Sequence, residues 1–317
     1  MKSQRLSFEN FDTAFITHGL DVIPDPDWSE SGDAVYIFAV NHIPDAELPQ
    51  ARSQIEVFHH VIGSSSAKHI RSVWHPLIRT PNDIVADSPT SIYVSNDHYY
   101  RSGLMRAIED LYFNAKWTDT IHLEFDLKTA SDSAAGVKAS VALDRMHNNN
   151  GLGHGRTPNE ILVVSCIDGV THIGDIGPAG NITLRESISV DSNVDNPFYF
   201  QDPYAQSSGA DRSGFILPGL TRAIDLARTT RDPEGISAVM VWFSQPKAGG
   251  KAGAPTQWES RLLFEDDGSR IRSASAAVLV AIGPESEDGQ AADGVRKAWL
   301  FVTGFQSKNI IAVKVDL

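Results

Sequence analysis

Residues 91–103 read SIYVSNDHYYRSG. Ser91, Ile92, Tyr93 and Val94 are strand formers, and the segment runs without a break into Asn96, Asp97 and His98. A turn needs one such residue, because an Asn or Asp side chain hydrogen-bonds its own backbone and closes a strand. Three side chains in this short run that carry oxygen or nitrogen lone pairs suggest part of a site. The reading turns on whether other strands end in the same way.

Outward from this stretch the periodicity is β throughout. Candidate strands cover 34–41, 54–59, 83–86, 91–95, 120–126, 139–143, 160–166, 171–174, 238–243, 260–265, 276–281, 298–304 and 310–315. They are short, alternating or apolar, and separated by Gly, Pro, Asn, Asp and Ser. A helical pattern is convincing only over 104–114 and 218–228. Many short strands at even spacing predict a sandwich, barrel or propeller. With 317 residues, 41% of them hydrophobic, the chain buries a substantial core. Large all-β folds reach this size as single units, so one domain is expected over 1–317. Two segments, 247–256 and 284–294, read as surface insertions.

Composition excludes several classes. A net charge of −13 disfavours nucleic acid, whose phosphates want a basic face. Cys166 is the only cysteine, so no intrachain disulfide forms. No run approaches the roughly 18 apolar residues of a membrane helix. The opening MKSQRLSFENFDTAF has no apolar core of a signal peptide, so an intracellular location is expected if the chain starts there.

Five further segments present Asn, Asp or His where strand meets loop. These are ITHGLD (16–21), VNH (40–42), TPNDIV (80–85), NNNGL (148–152) and NVDN (193–196). Hard cations such as Ca²⁺ take six to eight oxygens from carboxylates, amides, carbonyls and water. An amide-rich, thiol-free set suits calcium better than zinc. In a propeller, strand ends from every blade converge on a central channel, so scattered ligands can meet at one ion. The chain has no local EF-hand loop or HExxH, so any metal site is assembled by the fold.

These segments resemble, in order, motifs of the serum paraoxonase/arylesterase family. His18-Gly19-Leu20 is similar to its His-Gly-Ile/Leu segment. Val40-Asn41-His42 followed by Pro44-Asp45-Ala46 is similar to Val-Asn-His-Pro-Asp-Ala, with Ile43 an extra residue. Pro81-Asn82-Asp83-Ile84-Val85-Ala86 and Ser95-Asn96-Asp97-His98-Tyr99-Tyr100 carry the most specific likeness. Asn150-Gly151-Leu152, Asp195-Asn196 and the closing strands over 297–317 continue it more sparsely.

The resemblance implies an all-β, six-bladed β-propeller that hydrolyses lactones and aryl esters with two calcium ions. A catalytic calcium would be held by Asn82, Asn150, Asp195 and Asn196. A structural calcium would be held by Asp83 and the backbone carbonyl of Leu20. Asn96, Asp97 and His98 would lie beneath the ion and orient its ligands. The ion would polarise the carbonyl, His18 would deprotonate water, and His42 would set the His18 tautomer. Asp195 is an alternative nucleophile. Read singly, Asn150 also fits the left-handed residue of an Asn-Gly turn, and Asp195-Asn196 before Pro197 fits a turn opener.

The chain departs from the family near its start. The family's first blade carries a Glu-Asp pair that ligates both calciums, and no such pair precedes His18; Glu9 and Asp12 stand outside that motif. The expectation is a propeller lacking its N-terminal first blade. Two other readings follow: a calcium-stabilised propeller that serves as a binding or scaffold module, and a gluconolactonase-like lactonase using another divalent ion. The expected partner is a small lactone or ester, with no transmembrane segment.

Overall fold

A computed structural model of the protein describes residues 4–30, 32–44, 51–112, 114–128, 132–226, 232, 237–247, 255–283, 286 and 295–317. Most of both expected insertions, 247–256 and 284–294, lies outside the described residues, as do Asp45 and Ala46. The fold is all-β and of β-propeller type. The chain divides into two compact units: Met1–Leu152 with Ile176–Thr183, and Gly153–Asp175 with Leu184–Leu317.

The first unit opens with β1 (Ser7–Glu9), β2 (Thr17–Pro24), β3 (Ala34–Ile43), β4 (Arg52–Val61) and β5 (Ser66–Val73). These form one sheet in the order β1-β5-β4-β3-β2. β2 to β5 make an antiparallel meander, and β1 adds to its edge in parallel, Ser7 opposite Ser66. The second sheet is β6 (Pro81–Ser88), β7 (Ser91–Asn96), β8 (Thr118–Glu124) and β9 (Lys138–Met146), paired in chain order. Helix α1 (Leu104–Leu111) lies between β7 and β8 in sequence. Near-continuous apolar runs mark strands buried on both faces. Phe38, Val40, Ile55, Val57, Ile92, Val94, Ile121 and Leu123 are accordingly sealed into one core.

A third sheet follows as β10 (Asn149–His154), β11 (Glu160–Ser165), β12 (Val170–Ile176) and β13 (Ile182–Ser189). The second unit continues with β14 (Phe198–Phe200), helix α2 (Ala205–Ser208), β15 (Gly214–Leu220), β16 (Val239–Pro246) and β17 (Trp258–Asp266). Its last sheet is β18 (Ala274–Ala281), β19 (Lys297–Gly304) and β20 (Ile311–Asp316). Two cores fill this unit. One is built around Phe200, Phe243 and Leu300, the other around Leu162, Ile173 and Phe215.

The described residues form five blade-like sheets, where the resemblance implies a six-bladed propeller that lacks its N-terminal first blade. At about four strands per blade, the strands present are used up by five. Residues 7–24 supply β1 and β2 of the first sheet.

The helix expected over 218–228 is also displaced. Pro218, Gly219 and Leu220 end strand β15, and a short 3-10 turn follows at Ala223–Asp225. Every residue of β15 is buried. Pro218 is tolerated because β14 pairs only as far as Ile216. The Pro218 carbonyl instead accepts the Asp195 N–H at 2.9 Å. On that side of the strand, away from β16, the missing proline N–H costs no ladder bond.

Candidate active site

Two β-bulges build the site in the first unit. The pairing of β2 with β3 slips between Thr17 and Leu20, and that of β6 with β7 slips between Pro81 and Ile84. Bulges re-aim side chains that regular alternation would send to opposite faces. They fall at His18 and at Asn82-Asp83. Gly19 brings the two segments together: a Cβ there would stand 2.4 Å from both the Asn82 carbonyl and Asp83 Oδ1.

His42 sits directly opposite Ser53 in the β3–β4 ladder. His42 Nδ1 is 2.8 Å from Ser53 Oγ, and His42 Nε2 is 3.1 Å from His18 Nδ1. His18 Nε2 lies 3.5 Å from Asn82 Nδ2. One set of tautomers satisfies the whole chain. His18 Nδ1–H donates to His42 Nε2, and His42 Nδ1–H donates to Ser53 Oγ. That leaves His18 Nε2 unprotonated toward Asn82. The two imidazoles, Ser53 and Asp97 line a pocket of about 310 Å³.

Burial tunes these groups. His18 has an exposed surface, yet protein surrounds its ring, and that desolvation lowers its pKa against the opposing pull of Asp97. His42 is also lowered, by desolvation first and by the neighbouring His18 second. Both rings therefore favour the neutral form that a base and its acceptor require. Asp97 is held below the usual carboxylate range. Burial raises it, and contact with His98 and the field of Arg106 more than offset that. His98 is raised: desolvation opposes the charge, but Asp97 at 3.0 Å favours it. His98 Nε2 also reaches Asp110 Oδ1 at 2.7 Å.

The amides of the opening motif have a different task. Asn96 is fully buried. Its Oδ1 accepts the N–H groups of Arg79 (2.8 Å) and Thr80 (3.0 Å). Its Nδ2 donates to the Leu77 carbonyl (2.9 Å) and to Asp119 Oδ1 (2.7 Å). Asn41 repeats the pattern one sheet earlier. It accepts from the Ile16 N–H and donates to the Ala14 carbonyl and to Glu56. Each asparagine thus clasps a loop that carries site residues and ties it to a carboxylate on the next strand. Sequence reasoning missed Glu109 of α1. Its carboxylate accepts the Tyr99 and Tyr100 N–H groups at 2.8 and 3.1 Å, and so anchors the end of the motif.

The expected ligands are divided between the units. In the first, Asp83 N–H donates to Ser95 Oγ (3.0 Å), which donates to the Asn150 carbonyl (2.5 Å). Asp83 Oδ2 accepts the Leu152 N–H at 2.9 Å. Leu20 stands in β2 opposite Ala39. In the second unit, Asn196 Nδ2 donates to Ser275 Oγ at 3.0 Å. The Asp195 carboxyl is pushed up to about 7 by burial, against a hydrogen bond from Ser275.

The fit to a hard cation rests on orphaned atoms. Asn150 Oδ1 and Asn196 Oδ1 are buried with no hydrogen-bond partner among the described residues. Buried acceptors are nearly always satisfied, so each calls for an explanation. A bare amide oxygen, and a carboxylate desolvated without a counter-charge, suit calcium chemistry. Among the described residues no group of three His, Cys, Asp or Glu side chains is placed to hold a metal ion, so such a cation depends on amides.

Comparison with known proteins agrees with the first unit. Residues 10–147 match the Arylesterase family. Serum paraoxonase/arylesterase 2 of Gallus gallus is 26% identical over 183 residues, 58% of this chain and 45% of that protein. Its Homo sapiens counterpart is 28% identical over 187 residues, 59% and 46% respectively. Serum paraoxonase/arylesterase 1 of Homo sapiens is 30% identical over 110 residues, 35% and 28%. The matched stretch spans less than half the length of these relatives. The family match contains His18, Leu20, His42, Asn82, Asp83 and Asn96 to His98; Asn150, Asp195 and Asn196 lie beyond it.

Proposed function

We propose, from the match of residues 10–147 to the Arylesterase family, that the protein hydrolyses lactones and aryl esters with His18 as general base. The observation that carries this is the chain Asn82–His18–His42–Ser53 beside the pocket, with contacts of 3.5, 3.1 and 2.8 Å.

His18 Nε2 takes a proton from water on the Asn82 side. The new imidazolium is stabilised through Nδ1–H donation to His42, whose own N–H is held by Ser53. Neutral histidine is available for this at ordinary pH because desolvation disfavours the charged form in both rings. Asp97 is ionised in the same pocket and attracts the imidazolium as it forms.

We assign calcium ligation within each unit: Asn82 and Asn150 in the first, with Asp83 and the Leu20 carbonyl for a structural ion, and Asp195 and Asn196 in the second. When bound, calcium supplies Lewis-acid polarisation of a carbonyl. The orphaned amide oxygens and the desolvated Asp195 support this assignment.

The deciding experiment measures hydrolysis of phenyl acetate and of γ-butyrolactone by the wild type and by His18→Gln. Loss of a general base costs about 10²–10⁴-fold in turnover. Turnover within a few-fold of wild type would remove His18 from the reaction.

A further inference from the structure

We propose that the pocket beside His18 contains an anion subsite formed by Arg101 and Arg106, which selects esters or lactones bearing a carboxylate or phosphate group. The proposal rests on the hydrolase reading above and names its substrate class.

The walls of the pocket carry the argument. A site for a neutral aryl or alkyl ester is lined mainly by apolar and aromatic side chains. Here Ala51 and Pro81 are the apolar lining residues. Arg79, Arg101 and Arg106 face them, with Asp97 the one carboxylate in the lining. Three guanidiniums line this small pocket in a chain of net charge −13. A cleft of one sign raises the local concentration of ligands of the other sign.

The three arginines are not equivalent. Arg79 is committed to the protein. Its Nη2 donates to Asp119 at 2.5 Å, and its guanidinium stands 4.7 Å from the centre of the Tyr99 ring. Arg106 is half committed: Nε is 3.3 Å from Asp110, a carboxylate shared with His98, and Nη1 reaches the Tyr100 carbonyl at 3.4 Å. Arg101 donates from Nη2 to the Ile78 carbonyl at 3.3 Å and has no carboxylate partner among the described residues. Arg101 and the free edge of Arg106 therefore offer the planar donor fork that matches carboxylate or phosphate oxygens. Asp97 offsets them only in part: it pairs with His98 at 3.0 Å and lies in the field of Arg106, which leaves Arg101 without a carboxylate among the described residues.

The test uses isosteric esters. The 4-nitrophenyl monoester of succinate carries a carboxylate, its methyl ester is neutral, and the 3-phosphonopropionyl analogue carries a phosphonate. Wild type is expected to prefer an anionic ester in kcat/KM. Arg101→Gln and Arg106→Gln should each reduce that preference about tenfold, mainly through KM, as expected for loss of one charge-assisted hydrogen bond. Arg101→Lys should restore part of it, and Lys314→Gln in the second unit should leave it unchanged. Comparing the two anionic esters separates carboxylate from phosphate selection. A wild type that favours the neutral ester, or a preference that neither arginine variant moves, overturns the subsite. If wild type hydrolyses none of the esters, the hydrolase reading fails and calorimetry decides the subsite. Succinate or phosphate binding that is lost in the double arginine variant supports it; no binding by wild type overturns it.

Discussion

At the scale of single residues, Ser53 has the most testable role. It is the last member of a relay that begins at His18 Nε2, and nothing in the sequence marks it. Ser53→Ala removes the acceptor of the His42 N–H, so the alternative His42 tautomer becomes competitive and His18 loses its partner. Turnover should fall about tenfold with calcium binding intact, and His18→Gln on top should add little, since both act on one proton transfer. The pH profile gives a second check. His18 acts when neutral, so kcat/KM rises with pH through its folded pKa and then levels. Desolvation sets that pKa below the ordinary 6.5. The acid limb should therefore lie below pH 6.5, and a limb centred above it would contradict the assignment.

At the scale of elements, the two asparagine clasps decide whether the strand ends hold their shape. Glu56 receives Asn41, Gln54, His69 and Ser72 at 2.6 to 3.0 Å and is fully buried. Burial raises its pKa, but these four bonds outweigh it and leave the carboxyl below 4.5. The sign follows directly. A depressed carboxylate contributes stability that is complete above its unfolded value and is lost as pH falls through the folded one. Urea midpoints between pH 6 and 3 should therefore fall more steeply for wild type than for Glu56→Gln; equal slopes would exclude the effect. Asn96→Ala should cost about 3 kcal/mol, because it leaves the Arg79 and Thr80 N–H groups, the Leu77 carbonyl and Asp119 Oδ1 without the Asn96 amide. The alternating and apolar strands were legible in the sequence because burial on one or both faces writes itself into residue order. Val40, Ile92 and Ile161 are examples. β5 (SAKHIRSV) and β13 (ITLRESIS) were not, since β5 buries Arg71 and half-buries His69 among its apolar residues, and β13 half-buries Glu186 beside an exposed Arg185. β15 misled because Pro218 reads as a helix start, when its ladder partner on that side simply ends. The Asn and His positions were legible as a set. Their division into clasp and chemistry was not, since Asn41 and Asn82 differ only in what surrounds them.

At the scale of the whole molecule, cation binding is a stability question as much as a catalytic one. Two amide oxygens are buried with no hydrogen-bond partner among the described residues, and a carboxyl is desolvated up to about 7. Each of these disfavours the native state. Cations that satisfy them within each unit bind the native chain and not the unfolded one, so they stabilise by mass action. The gain is about 2.7 kcal/mol at a hundredfold excess over Kd. For a chain of this size that corresponds to roughly 5 °C in Tm. Calorimetry with EGTA and then with excess calcium should show this shift, and magnesium should give less because it resists dehydration. Asn150→Ala in the first unit and Asp195→Ala in the second should each shrink the response to calcium. The two variants should differ without the ion. Asn150→Ala removes an orphaned oxygen and should melt close to metal-free wild type. Asp195→Ala removes a carboxylate whose burial is unfavourable above its unfolded pKa, so its metal-free Tm at pH 8 should exceed that of wild type. A melting curve indifferent to calcium, with Asp195→Ala less stable than metal-free wild type, would mean that these oxygens are satisfied by the protein itself and that the cation assignment is wrong.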